Sequence, residues 1–228
     1  MILFDPEELF PFVDGSVTYA DAQSHSAEVD AWLGIKTAEV EAQLLAAMKV
    51  ENADHQLWIG LPVKALQTPY TELRELLERL APEVGETVID LGAAYGRMAF
   101  VLDKHAPGVG FIGYEFVGAR VREGQQSYQR HGLKNAQLFE ADLSHVEFRL
   151  PSAEYYFLYD YGNRQAIEKT LEDLREIAMV RAITVVGRGR ASRDAIERGA
   201  PWLSQVVAPE HFLHYSIYRS HDKVEVCS

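Results

Sequence analysis

The sequence has a single cysteine, Cys227, among 228 residues. One cysteine excludes a disulfide within the chain, so we expect a reducing compartment and a cytoplasmic protein. Long hydrophobic runs are missing too: none reaches the ~18 residues that a membrane-spanning helix needs. No basic segment followed by an apolar stretch opens the chain, so no secretory leader is expected. The sequence therefore predicts no membrane association.

Positive charge is also scarce. The chain has 22 Lys and Arg residues against 34 Asp and Glu residues, a formal net charge of −12. An electrostatic field of that sign repels phosphate backbones. The balance of charge therefore disfavours a nucleic-acid partner, although it leaves a local basic groove open, and nothing in the sequence indicates an oligomeric state.

The remaining composition is that of a globular protein, with 47% hydrophobic and 25% charged residues. Residues 1–66 are predicted to be a helical N-terminal extension that covers a substrate or packs on a core. Residues 67–228 are predicted to be that core, because a new pattern begins there.

The core pattern alternates short apolar segments with amphipathic ones. The predicted strands are 87–91, 110–115, 136–139, 155–159 and 182–186, and two further extended segments are 204–208 and 212–218. Helices are predicted at 97–105, 119–130 and 164–177. This alternation predicts an α/β fold with a Rossmann-like, doubly wound, mostly parallel sheet. The closely spaced last pair, divided by Pro209, predicts an antiparallel hairpin at the end.

Polar residues directly follow the first two predicted strands. In doubly wound folds, ligands bind outside the carboxyl ends of the strands. The first strand ends at Asp90 and leads into a turn that contains Gly92 and Gly96. Glycines let the backbone approach a ligand, and the next helix offers free N–H groups. The second strand ends at Glu115, whose carboxylate can accept two hydrogen bonds from ribose hydroxyls.

The next two strands are followed by polar residues as well. Asp142 follows the third strand and suits an adenine amino group. The fourth strand leads into the segment Tyr159-Asp160-Tyr161-Gly162-Asn163, where a substrate would meet the reactive end of a cofactor. Each feature alone is common in proteins of other function, but four in order at successive strand ends favour a nucleoside-containing cofactor.

This arrangement resembles the class I S-adenosylmethionine (SAM)-dependent methyltransferases. The residues that carry the resemblance are Asp90-x-Gly92-x-x-x-Gly96, Glu115 and Asp142. A looser similarity is to the small lysine methyltransferases of the ATP synthase c-subunit type, relatives of the Dot1-like group. It depends on Thr68-Pro69-Tyr70, Gly96-Arg97 and Gly113-Tyr114-Glu115. The resemblance spans about residues 67–218.

The resemblance implies SAM as cofactor and methyl transfer to an amine or other nucleophile of a protein side chain or small molecule. It places Gly92 and Gly96 beside the methionine portion, Glu115 at the ribose, and Asp142 with Leu143 at the adenine. It also implies that Thr68 and Tyr70 fold over the cofactor, with Arg97 ending the glycine turn. Asp90 would order that turn or contact the cofactor's amino group.

For the acceptor side we expect Asp160 as the carboxylate that holds the nucleophile and Tyr161 as a wall that positions it. No Cys or His residues have the spacing of a zinc site, so no metal is predicted.

Three other functions stay open. An NAD-dependent oxidoreductase has a similar turn and a distal acid, but its G-x-G-x-x-G pattern needs a glycine where this chain has Ala94. The methyltransferase family also usually has glycine there, and this departure keeps a non-catalytic SAM-binding module open. A nucleic-acid methyltransferase is the last alternative, and the net charge disfavours it.

Overall fold

The computed structural model describes residues 1–13, 17–47, 59–62 and 67–221. Its helices are α1 (Tyr19–Leu33), α2 (Thr37–Ala47), α3 (Tyr70–Leu80), α4 (Arg97–His105), α5 (Gly118–His131), α6 (Arg164–Ala178) and α7 (Arg190–Gly199), with a short 3-10 helix at Pro201–Leu203. Its strands are β1 (Thr87–Leu91), β2 (Gly110–Glu115), β3 (Ala136–Glu140), β4 (Tyr155–Tyr159), β5 (Thr184–Arg188), β6 (Glu210–His211) and β7 (Tyr215–Arg219).

The strands form one sheet in the order β3-β2-β1-β4-β5-β7-β6. Strands β1 to β5 are parallel, and β7 runs antiparallel to both β5 and β6. The chain builds outward from β1 to β3 and then returns to β4 beside β1. The predicted Rossmann-like sheet with its C-terminal antiparallel hairpin is therefore confirmed, and the reversal between β1 and β4 marks where a ligand site is expected.

The burial of each strand follows from its position in the sheet. The central strand β4 has the sequence YYFLY, and its first four residues are buried. Such near-continuous apolar runs are typical of parallel strands covered on both faces by helices. The edge strand β3 buries only Leu138 fully, so its remaining side chains are polar or half-exposed.

The end of the chain differs from the prediction in detail. The extended segment predicted at 204–208 is not a strand; the edge strand lies after Pro209, at Glu210–His211. Pro209 lacks the N–H that a ladder needs and precedes the edge strand. The hairpin turn lies between His211 and Tyr215, where the Phe212 N–H donates to the Tyr215 carbonyl at 2.9 Å. Strand β5 also begins two residues later than predicted, since Thr184 is in register with Tyr155 of β4.

The N-terminal helices share the hydrophobic core with the sheet and its helices. Val29 and Leu33 of α1 pack in the same buried cluster as Leu73 of α3 and Met98 of α4. The division at residue 66 stays a prediction, but the described residues on its two sides form one core. Among the helices of the described ranges, none is both long and apolar enough to cross a membrane.

Gly124 in α5 tests how closely that helix packs on the turn after β1. A Cβ atom there would lie 2.6 Å from both the Tyr95 carbonyl oxygen and Leu138 Cδ2. We expect Gly124→Ala to destabilise the protein by about 1–3 kcal/mol through overpacking. The matched control is Gly199→Ala in α7, where the nearest atom is 4.0 Å away. That change should be neutral or stabilising by up to about 1 kcal/mol. The free energy of unfolding of both variants is measured in urea. Equal changes for Gly124→Ala and Gly199→Ala would contradict the close packing at Gly124.

Candidate functional site

The turn after β1 crosses to the tip of β2. The N–H groups of Gly92 and Ala93 both donate to the Tyr114 carbonyl oxygen at 2.9 Å. Gly92 has φ of 88°, and a Cβ there would lie 2.6 Å from Cβ of Tyr161. Only glycine fits this position without a shift of its neighbour, because the backbone is left-handed and the segment after β4 lies directly against it.

Ala94 continues the turn with φ of 48°, a left-handed conformation that costs a non-glycine residue about 1–2 kcal/mol. Its N–H donates to Glu115 Oε2 at 3.0 Å. That hydrogen bond offsets part of the backbone cost. The conformation also explains why glycine suits this position in the family that the sequence resembles.

Glu115 ends β2 as a buried carboxylate. Besides Ala94, it accepts a hydrogen bond from the Val117 N–H on Oε1 at 2.9 Å. Arg120 Nη1 approaches the same oxygen at 3.4 Å. A carboxylate offers about four acceptor sites. Glu115 therefore keeps capacity for a further donor, and it faces a cavity.

We call this opening the Glu115 cavity. It lies between the ends of β1, β2 and β4, and its walls include the predicted site residues Gly92, Glu115, Asp142, Leu143 and Tyr161, together with Phe116, Val117, Arg120 and Tyr159. At its rim, Asp142 Oδ1 accepts hydrogen bonds from the Ser144 N–H at 2.9 Å and the Ser144 hydroxyl at 2.6 Å. The loop after β3 is thus held against the opening.

A second opening, the Asp90 cavity, adjoins the other side of the turn. Its walls include Gln67, Thr68, Asp90, Gly92, Ala94, Arg97 and Tyr159. Burial raises the pKa of the Asp90 carboxyl to about 8, and the negative charge of Glu115 adds to the shift. No described residue donates a hydrogen bond to that carboxyl. Buried polar groups are normally hydrogen-bonded, so Asp90 faces a place for a ligand donor.

The Asp90 cavity also contains an orphaned donor. Gln67 is buried, and its Nε2 has no hydrogen-bond partner among the described residues. By contrast, each guanidinium nitrogen of Arg97 already donates a hydrogen bond: Nε and Nη2 to the two carboxylate oxygens of Asp30, and Nη1 to the Thr68 carbonyl. The arginine therefore acts as a wall of the cavity, and the amide is the group with a hydrogen bond to give.

A third opening, the Arg188 cavity, has a volume of about 620 Å³. Its walls include Tyr19, Tyr159, Asp160, Arg188, Arg190, Arg193, Asp194, Glu197 and His214. The Arg188 guanidinium lies 4.1 Å above the Tyr159 ring. Tyr159 lines all three cavities, so they adjoin at this residue. We call the three cavities together the trough.

The two residues predicted for the acceptor side have structural partners. Asp160 lines the Arg188 cavity, but its Oδ1 also accepts a hydrogen bond from the Ser192 N–H at 2.8 Å. Its own N–H donates to Ser192 Oγ at 2.8 Å, so Asp160 caps the start of α7. The Tyr161 hydroxyl is hydrogen-bonded to Thr170 inside the core. Tyr161 therefore presents its ring and Cβ to the Glu115 cavity.

Two other predicted residues lie behind the cavity walls. Tyr70 is fully buried, its hydroxyl donates to Asp30 Oδ1 at 2.9 Å, and it lines none of the three cavities. Gly96 begins α4, and its carbonyl accepts a hydrogen bond from the Tyr128 hydroxyl at 2.7 Å. Thr68 and Arg97 thus line a cavity directly. Tyr70 and Gly96 lie behind the walls and make hydrogen bonds with other residues of the protein.

The residues of the trough that the sequence did not predict include Gln67, Phe116 and Arg120. Phe116 directly follows the predicted ribose acid, and its aromatic ring could have been noticed on that ground. Tyr159 belongs to the segment predicted for the acceptor side, and the structure places it in the walls of all three cavities. Gln67 and Arg120 had no local signal. Within the described ranges, no cluster of His, Cys, Asp and Glu is arranged to hold a metal ion.

Solved structures of other proteins share this fold. Over two thirds of the chain, the structure is similar to a putative methyltransferase, yhhF, from Escherichia coli, with a TM-score of 0.51 and 17% identity over 87% of that chain. It is also similar to a putative RNA methyltransferase from Pyrococcus horikoshii, with a TM-score of 0.50, 17% identity, and coverage of 78% of this chain and 96% of that one. The fold is that of the class I SAM-dependent methyltransferases.

A sequence match is shorter. The chain is 35% identical over 85 residues to the 23S rRNA (uracil(1939)-C(5))-methyltransferase RlmD of Pseudomonas aeruginosa. The match covers 37% of this chain and 18% of the relative's length, so the chain spans less than a fifth of that enzyme. No protein-family model matches the chain.

This match overturns one expectation. The net charge of −12 led us to expect that nucleic acid is disfavoured as a partner, and that expectation is wrong, since the curated relative is an rRNA methyltransferase. Net charge sums over the whole surface, whereas a substrate meets one part of it. In this protein Arg188, Arg190 and Arg193 line a single cavity.

The raised pKa of Asp90 predicts how stability depends on pH. In the folded protein the carboxyl holds its proton up to about pH 8, whereas an unfolded Asp loses it near pH 3.9. The folded state thus binds more protons between these values, and its stability falls as pH rises. Asp90→Asn should remove up to about 1.4 kcal/mol per pH unit of that slope between pH 5 and 8. Urea unfolding at pH 5, 6.5 and 8 gives the free energy of unfolding of wild type and variant. If this free energy depends on pH in the same way in both proteins, the assignment of the slope to Asp90 is contradicted.

Proposed function

We propose that the chain is a SAM-dependent methyltransferase that acts on RNA. The observation that carries the cofactor assignment is the pair of buried carboxylates on the two sides of the turn after β1. Glu115 faces one cavity and Asp90 the next, and each has capacity to accept hydrogen bonds. SAM has hydroxyl donors at its ribose and an ammonium group at its methionine end, and the two cavities adjoin across Gly92 and Ala94.

The Glu115 cavity suits the adenosine half. Glu115 would accept hydrogen bonds from the ribose hydroxyls, while Phe116 and Leu143 offer apolar surface for the adenine. Asp142 stands at the rim beside Leu143. A carboxylate at the ribose repels a 2′-phosphate, which argues against phosphorylated dinucleotides as occupants.

The Asp90 cavity suits the methionine half. Asp90 would pair with the ammonium group of SAM. Gln67, whose Nε2 has no partner among the described residues, would donate to the carboxylate of the methionine portion. Thr68 lies alongside. A cationic group next to Asp90 would also favour ionisation of this carboxyl, because an opposite charge at close range stabilises the charged form.

SAM supplies a methyl group on a positively charged sulfur, which needs little further activation. The chain's own contribution is to align the acceptor and exclude water, and alignment alone supplies about 7–11 kcal/mol of a barrier in well-oriented systems. Tyr159 lies where all three cavities meet, so its π face would border both the donor and the acceptor. Asp160 stays our proposed acceptor-side carboxylate, and Tyr161 our proposed wall.

RNA as acceptor is supported by the rRNA methyltransferase match and by the chemistry of the Arg188 cavity. Tyr19 and Tyr159 place aromatic rings in its wall, with Arg188 over one face of the Tyr159 ring, and Arg190 and Arg193 offer cations for phosphate. The acids Asp194 and Glu197 line the same cavity, and Arg190 lies 3.7 Å from Asp194. Because acidic and basic side chains share this wall, we expect it to contact a few phosphates and not a long stretch of RNA backbone.

Two finer expectations stay predictions. The motif similarity to the c-subunit-type and Dot1-like enzymes concerns Thr68, Tyr70, Arg97 and Glu115, and we attach no acceptor to it. The cytoplasmic location rests on the lone cysteine.

Incubation with methyl-tritiated SAM and total cellular RNA tests the activity. We expect label in a fraction that resists protease and is sensitive to RNase. Glu115→Ala should lower incorporation at least tenfold, since the loss of ribose hydrogen bonds to a charged acceptor is worth about 1.5–3 kcal/mol. The matched control is Glu140→Ala, an exposed carboxylate at the end of β3, in register with Glu115 and outside the three cavities.

Three outcomes would contradict parts of the proposal. Label that only protease removes would exclude RNA as acceptor. Binding of S-adenosylhomocysteine without any transfer would favour a non-catalytic SAM-binding module. Tight binding of NAD in place of both sulfur compounds would favour an oxidoreductase.

Proton release on binding tests the place of Asp90. With its pKa near 8, the carboxyl is mostly protonated at pH 7, and pairing with an ammonium group should expel that proton. Titration calorimetry of S-adenosylhomocysteine in phosphate and in Tris buffer should show release of close to one proton per site. 5′-Methylthioadenosine, which lacks the amino acid, should release none, and Asp90→Asn should release none with either ligand. Identical observed enthalpies in the two buffers for wild type would contradict this assignment.

A further inference from the structure

A buried arginine connects the N-terminal helices to the Glu115 cavity. Arg120 of α5 lines that cavity, and Glu41 of α2 holds it with two hydrogen bonds. Arg120 Nε donates to Glu41 Oε1 at 2.8 Å, and Nη2 donates to Oε2 at 3.1 Å. The Tyr95 hydroxyl adds a third donor to Glu41 at 2.9 Å. The bidentate geometry fixes the guanidinium in one orientation.

The same arginine has a second carboxylate nearby. Its Nη1 lies 3.4 Å from Glu115 Oε1, a longer contact than either bond to Glu41. The side chains of Arg120, Glu41 and Glu115 are at most 7% exposed, so water screens their charges little. A buried cation between two anions is drawn to whichever remains if the other is neutralised. Glu41 thus competes with Glu115 for Arg120.

We propose that Glu41 is a positioning residue that limits Arg120 to one long contact with Glu115, so that Glu115 keeps its acceptor capacity for ribose hydroxyls. The inference rests on the proposed function, because it assigns Glu115 to the cofactor. It makes helix α2 part of the cofactor site. The N-terminal segment would then act through charge on cofactor affinity, in addition to any cover it gives a substrate.

The chain contains a matched pair for comparison. Asp30 of α1 binds Arg97 of α4 through both carboxylate oxygens, and both side chains are buried to the same degree as Glu41 and Arg120. The third guanidinium nitrogen of Arg97, Nη1, donates to the Thr68 carbonyl at 3.1 Å. Arg97 therefore has no contact with Glu115. Loss of either acid costs a buried ion pair, but only loss of Glu41 should alter the ribose acceptor.

The test is binding of 5′-methylthioadenosine to the full chain, because this probe keeps the ribose and lacks the amino acid. Glu41→Gln should raise its dissociation constant at least about fivefold, within the usual range for coupled sites. Asp30→Asn should leave it within about twofold of wild type. Thermal unfolding of both variants shows whether they lose similar stability. Glu41→Asp, which keeps the charge, should return affinity to within about threefold of wild type.

A double-mutant comparison shows whether Glu41 acts through Arg120. In the Arg120→Met background, Glu41→Gln should change the affinity for the probe by less than about twofold. If the single Glu41→Gln variant does not fold, the comparison of Arg120→Met with the double variant is the test. The inference is overturned if Glu41→Gln and Asp30→Asn weaken the probe equally, or if the effect of Glu41→Gln persists without Arg120. If the wild-type protein binds no adenosine compound, both the proposed function and this inference are overturned. If the wild-type protein binds the probe and Glu41→Gln leaves that affinity unchanged, only the inference is overturned.

Discussion

The Glu115 carboxylate connects the parts of this site. One of its oxygens accepts the N–H of Ala94 in the turn after β1, and the other accepts the N–H of Val117 before α5. These bonds fix the turn, the end of β2 and the start of α5 relative to one another. A carboxylate that organises the backbone and still faces a cavity is preorganised for a ligand, because its position is set before the ligand arrives. Glu115 lines the Glu115 cavity, and the other two cavities adjoin this one at Tyr159.

Such an arrangement is costly for the folded protein. Burial and the nearby charge of Glu115 raise the pKa of Asp90 to about 8, so it retains its proton at neutral pH. Ala94 holds a left-handed backbone conformation, and the buried Gln67 Nε2 has no hydrogen-bond partner within the described part of the chain. Three unfavourable features around one opening are typical of functional sites, where strain and unsatisfied groups persist because a ligand relieves them. Helices α1 and α2 contact the helices of the site through the buried ion pairs Asp30–Arg97 and Glu41–Arg120.

Much of the fold could be predicted from the sequence, because hydrophobic periodicity and strand-to-helix alternation are local. Gly92, Glu115 and Asp142 were also predictable, since they follow strands whose carboxyl ends must meet at one edge of the sheet. Tyr70 was not, because its place in the core depends on Asp30, 40 residues earlier. Gln67 and Arg120 gain their roles from contacts between distant segments. The partner class was wrong because net charge averages the whole surface. The C-terminal hairpin was predicted correctly, but its first strand was placed before Pro209 and lies after it.

The central claim is that SAM binds across the turn after β1, with its ribose at Glu115 and its amino acid at Asp90. A crystal structure of the protein with S-adenosylhomocysteine tests this most directly. The account predicts both ribose hydroxyls within hydrogen-bond distance of the Glu115 carboxylate, the ammonium group beside Asp90, and the carboxylate at the Gln67 amide. An adenosine moiety bound outside the Glu115 cavity, or a ribose that leaves Glu115 uncontacted, would contradict it.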